Sequence, residues 1–162
     1  MGYAMTSVDM TRSTLSDAVR QDVGKILQSR LSDLLALSLN LKQAHWHVTG
    51  RTFKQVHEQL DEIVDDVRTW SDEVAERSTT LGVPTDGRPS AVVSSKVPEF
   101  PSGFLTADQT VTAVAEQIAA VVASTRAEID RAGELDPVTQ ELLIGSTAGL
   151  EKHLWMLRAQ LA

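Results

Sequence analysis

His57 and Asp61 are four residues apart, and so are Asp72 and Glu76. On a helix each pair projects from one face as a two-point ligand set. His45 lies at the end of the preceding apolar-periodic segment and adds a fifth candidate ligand. Histidine nitrogen together with carboxylate oxygen suits iron, zinc or manganese. A chain that carries such a set has to form two consecutive helices and to hold their polar faces where an ion can reach them.

On a helical wheel started at His57, Asp61 falls at about 40°, Asp72 at about 60° and Glu76 at about 100°. The four form one stripe. The apolar positions Val56, Leu60, Ile63, Val67, Trp70 and Val74 centre at about −100° on the same wheel, so the ligands point away from this helix's own core.

Asp61 and Asp72 stand about 16 Å apart along the helix axis, too far for one ion to bridge. Residues 57 and 76, and likewise 61 and 72, are equidistant from a point between residues 66 and 67. Two antiparallel copies of the helix related by a two-fold axis at that point would set His57 and Asp61 of one against Glu76 and Asp72 of the other. A closed dimer would then build two sites in one isologous interface.

Taken singly, each of Glu58, Asp61, Glu62, Asp65, Asp66, Asp72, Glu73 and Glu76 reads as part of a solvated acidic face. Like charges at i,i+4 nevertheless destabilise a helix by a few tenths of a kcal/mol, and between positions 58 and 76 only Arg68 offsets them. A bound cation accounts for the excess. His47, two residues from His45, falls on another helix face and is expected at the surface or in packing, and His153, which has no acid at i±4, is expected in packing or capping.

Periodicity places the first helix from about Ser16 to Val48, with Leu27, Leu31, Leu34 and Leu41 leading to His45 and Gly50 ending it. The second runs from about Thr52 to Leu81. Thr106 followed by Gln109 is a capping-box pattern that opens the third, and Asp136-Pro137 opens the fourth with Asp as N-cap and Pro at the first turn. Its apolar face is expected to run through Leu143, Leu150, Leu154, Leu157 and Leu161. Four of the five prolines fall between Gly82 and Leu105, which reads as a long crossover with room for one short helix. The expected class is therefore all-α, a ferritin-like four-helix bundle with a long crossover between helices 2 and 3. Residues 1–15 are expected as a flexible tail and 16–162 as the single folded domain.

The chain has no cysteine, which rules out disulfides and thiolate sites. With no signal pattern and no apolar run of about 18 residues, it fits a cytoplasmic protein that does not enter a membrane. Bundles that hold two irons in their own core carry Glu-x-x-His motifs. None occurs here, in agreement with a site between subunits.

The stretch from Lys42 to Arg77 resembles the Dps proteins, mini-ferritins named as DNA-binding proteins from starved cells. Ala44, His45, Trp46, Val48, Gly50, Phe53, His57 and Asp61, then Asp72, Ala75, Glu76 and Arg77, match the family's signature. Leu150 to Ala159 resembles its last helix. The resemblance implies ferroxidase ligands at His45, His57, Asp61, Asp72 and Glu76 shared across a dimer two-fold. It also implies a hollow dodecamer that oxidises ferrous iron, preferably with hydrogen peroxide, and stores the ferric product. Trp46, next to a ligand, would intercept stray oxidising equivalents, though packing at the interface accounts for a tryptophan there equally well. Glu134, Asp136 and Glu141, clustered where the third helix turns into the fourth, are candidates for an acidic pore through which iron enters. N-terminal dipole compensation by Asp136 and Glu141 is the alternative.

The DNA half of the family name transfers poorly. Residues 1–19 hold one basic residue, Arg12, and each chain carries a formal charge of −7, so a shell of twelve repels DNA unless divalent cations bridge the two. A DNA-compacting, nucleoid-associated protein and a metal-dependent amide or ester hydrolase at the same site stand as alternative readings. The second has no G-x-S-x-G or cysteine nucleophile to support it.

Overall fold

The computed structural model describes residues 13–162. Ser16 accepts from the backbone N–H of Val19 and starts α1, Asp17–His47; α2 follows at Phe53–Thr80. Gly50, at φ +109°, takes a backbone conformation that side chains disfavour and turns the chain sharply between them. After the short α3, Pro89–Val92, Thr106 and Gln109 form a capping box in which each side chain engages the other's backbone N–H, and α4 runs Ala107–Leu135. Asp136 caps α5, Pro137–Arg158.

α1 packs chiefly on α2 and α4 on α5, and the two hairpins meet mainly through α1 and α4. One core runs through them, built from Leu27, Leu34, Leu37 and Leu41 of α1, Leu60, Ile63 and Val67 of α2, Ile118 of α4 and Leu150 and Leu157 of α5. The expected bundle is present. Leu161 departs from the expected stripe: α5 stops at Arg158, and Leu161 lies beyond it and is exposed. Of the expected tail, residues 1–12 lie outside the described residues, while Leu15 packs against the core.

Two strands interrupt the all-helical expectation. Val48–Thr49 (β1) pairs in parallel with Leu105–Thr106 (β2), joining the end of α1 to the start of α4. The crossover is fixed along its length. Gln28 donates to the Asp86 carbonyl at 2.9 Å and accepts from the Asp86 N–H at 2.8 Å. Deeper in, buried Arg30 donates to Asp33 on its own helix and to the Val121 carbonyl and Ser124 of α4. Asp33 in turn accepts from Ser95 and the Lys96 N–H, so the buried charge pair has its remaining hydrogen-bonding capacity filled. No helix among the described residues is long and apolar enough to cross a membrane.

Candidate metal centre

Only five residues, 48–52, separate α1 from α2, so the last turn of one lies against the first turn of the other. There His45 and His57 hold each other. His45 Nδ1 donates to the His57 carbonyl and His57 Nδ1 donates to the His45 carbonyl, both at 2.9 Å. The His45 carbonyl lies in the last turn of α1, where carbonyls lack helical partners, and the ring of the next helix supplies one. The two rings stack with centroids 3.5 Å apart and planes inclined by 22°.

A carbonyl can only accept, so each Nδ1 carries the proton and each neutral ring keeps its lone pair on Nε2, the atom free to bind a metal. Asp61 completes the cluster: one ligand atom from each of His45, His57 and Asp61 lies within 4.8 Å of the others. Its Oδ1 is 3.2 Å from His45 Nδ1 and 2.6 Å from Lys42 Nζ. The Lys42 ammonium, with help from the histidines, holds the Asp61 carboxyl below the usual carboxylate range despite partial burial. Two imidazole nitrogens and a carboxylate oxygen make a set that suits a divalent first-row metal. Three candidate ligands from one chain would leave coordination positions to fill.

Asp72 and Glu76 do not join this cluster within the chain. Both are exposed on α2, one or more helical turns beyond the acids that follow Asp61. Trp46, beside His45, is 63% exposed, and its ring is therefore available to solvent or to another chain. His47 is used in packing, edge-on to Phe104 with centroids 5.3 Å apart.

Within the chain Asp136 takes the capping role that the sequence offered as the alternative to a pore. It is buried, accepts from the Thr139 N–H and hydroxyl, and pairs with Arg77 at 2.6 Å. Burial alone would raise its pKa; the Arg77 and Thr139 hydrogen bonds outweigh that and lower it. Its job is capping α5 and tying α5 to α2. Glu134 and Glu141 are exposed.

Sequence reasoning missed Lys42 and the partner of His153. Lys42 precedes His45 by three residues and so shares its face, a signal that was present. His153 Nε2 lies 2.7 Å from Asp66 Oδ2 on α2, a pairing across 87 positions that no local spacing announces.

A ferritin-like domain matches residues 24–162. The chain is 38% identical over 148 residues to the DNA protection during starvation protein of Mycolicibacterium smegmatis, covering 91% of this chain and 81% of that one. It is also 38% identical over 156 residues to the fine tangled pili major subunit of Haemophilus ducreyi, covering 96% and 82% respectively. Among solved structures, DpsA14 from Streptomyces coelicolor superimposes with a TM-score of 0.89 at 37% identity, over 93% of this chain and 90% of that one. With a matching domain over most of its length and relatives at this identity, the chain belongs to the Dps family of ferritin-like proteins.

Proposed function

We propose that the protein is a ferroxidase and iron-storing mini-ferritin of the cytoplasm, with ferrous iron as its substrate and hydrogen peroxide as its oxidant. The observation that carries this reading is the His45–His57–Asp61 cluster, three ligands on one chain with Nε2 of both rings free. Asp72 and Glu76 lie on the same exposed stripe of α2, at the positions that a two-fold axis between residues 66 and 67 would bring to the cluster of a second chain.

In this scheme His45, His57 and Asp61 of one subunit and Asp72 and Glu76 of another hold ferrous ions. Carboxylates stabilise the ferric product more than the ferrous reactant because its charge is higher, which favours oxidation. Two ferrous ions give one electron each; the O–O bond of peroxide takes both and, with two protons, leaves as two waters. No odd-electron oxygen species is released. Trp46, exposed beside His45, is placed to take up a stray oxidising equivalent. The ferric product collects inside a dodecamer assembled from two-fold dimers, and exposed Glu134 and Glu141 are the acids that would draw cations to its pores. With −7 per chain, DNA binding is weak.

Stopped-flow oxidation of ferrous iron by peroxide and by dioxygen, with native mass measured on the same sample, tests this. The expected result is rapid oxidation with peroxide by a twelve-subunit particle. Oxidation no faster than in protein-free buffer would reject the reading.

A further inference from the structure

α2 carries three basic side chains, and two of them are engaged: Lys54 with Glu58 at 3.6 Å and Arg77 with Asp136 at 2.6 Å. Arg68 is the third. Asp65 stands three residues before it and Asp72 four after, both spacings at which helical ion pairs form, yet among the described residues Arg68 pairs with neither. Asp65 is likewise exposed and without an ion-pair partner among the described residues. An exposed arginine surrounded by acids and bonded to none of them is free to pair with a group of another chain.

The geometry points to a second copy of this chain as that partner: Asp65 of each subunit pairs with the partner's Arg68 across the two-fold axis, closing the centre of the dimer with two reciprocal ion pairs. The inference rests on the two-fold reading above. Residues 65 and 68 are equidistant from the point between 66 and 67 that also relates 57 to 76 and 61 to 72. On the wheel they fall at about 80° and 20°, inside the stripe that runs from His57 to Glu76. In an antiparallel pair they therefore come to the same height, on facing surfaces, nearer the axis than any ligand. Helices in contact lie about 8–10 Å apart, a gap that a long arginine side chain spans.

The pair adds what the ligands cannot, which is attraction before metal arrives. Apart from it, the facing stripes bring Asp61, Asp72 and Glu76 of two chains together, with Lys42 offsetting Asp61 and Lys54 held by Glu58. Sliding one helix by a turn toward its C-terminus would set Asp65 against the partner's Asp72 and Asp61 against the partner's Glu76, acid against acid. The two ion pairs thus favour the register in which the metal ligands meet over that slide.

The test uses the full chain as Asp65→Arg, Arg68→Asp and the exchanged double variant, each checked for helical content by circular dichroism. Each single variant opposes like charges twice, so its dimer dissociation constant should rise roughly tenfold, while the exchanged double variant returns to the wild-type value. When the two single variants are co-refolded, every cross-pair in the mixed dimer is attractive, so native mass should show mixed dimers well above the statistical half. Single variants that dimerise as tightly as wild type, or a mixture at or below one half, overturn the pair. Wild-type chain measured alongside separates the two failures: if it forms ferroxidase-active dimers while the variants are indifferent, only the ion pair is wrong; if it forms none, the two-fold reading falls and the pair with it.

Discussion

Lys42 Nζ stands 2.6 Å from Asp61 Oδ1, so the carboxylate offered to a metal is already engaged by a cation of the same chain. An ion that binds Asp61 through Oδ1 competes with an ammonium group. Lys42→Met should therefore tighten binding of cobalt, a redox-inert stand-in for ferrous iron, by about twofold to fivefold, the range expected for a half-exposed ion pair. Titration calorimetry at low ionic strength reads this directly, and unchanged or weaker binding would show that Lys42 does not compete.

A centre shared between two chains, as proposed, predicts complementation between inactive variants. In a mixed dimer of His57→Ala and Glu76→Ala chains one site collects both defects and the other neither. Random co-refolding of equal amounts should restore about a quarter of wild-type oxidation, half the dimers being mixed with one intact site in two. Mixed shells confirmed by mass but no faster than either parent would place the whole centre within one chain.

Asp136 gives a pH signature. Its carboxyl titrates below the ordinary aspartate value in the folded protein, so the stability it contributes is present above the unfolded pKa of about 4 and is lost as pH falls through the lower folded value. Asp136→Asn keeps a good helix cap and loses the charge-assisted bond to Arg77, which should cost about 1–2 kcal/mol at pH 7. Urea unfolding of both proteins from pH 7 to 3 should show that difference shrink below about pH 4. A gap constant with pH would mean the ion pair carries none of it.

Two glycines of α5 should respond oppositely to the same substitution. A methyl on Gly149 collides with the indole of Trp70, whereas one on Gly145 meets nothing within 4 Å. Gly145→Ala should stabilise the fold by up to about 1 kcal/mol through helix propensity. Gly149→Ala should destabilise it, an overpacking cost of about 1–3 kcal/mol exceeding the same gain. Thermal unfolding that moved both in one direction would contradict the close fit of Trp70 on α5.

The bundle was legible because its helices begin and end on local chemistry. Ser16, the Thr106–Gln109 box and Asp136-Pro137 each act within one turn, and the structure starts its helices where those residues stand. Of the site, the helical spacing of His57 and Asp61 needed only the wheel. What escaped depends on distant parts of the chain meeting: β1 with β2, His153 with Asp66, and Arg30 with α4. The burial of Asp136 was hidden for a related reason, since its partner Arg77 lies 59 positions away and an exposed and a buried carboxylate look alike in a sequence. Leu161 continued a periodic pattern past the point where the helix itself had ended.

The reciprocal bonds between His45 and His57 bear on when rotational freedom is lost. A histidine on a mobile side chain must be immobilised as it takes up an ion, at about 0.5–1.5 kcal/mol for each such side chain. Here each ring is already fixed by the other's carbonyl and by stacking, in the tautomer that leaves Nε2 bare. The entropy of ordering the two rings is therefore lost once, when α1 folds against α2. An ion bound by this pair would meet preorganised nitrogens, so occupancy of the proposed centre would depend on the strength of its bonds and on competition with Lys42, with no ring left to bring to order.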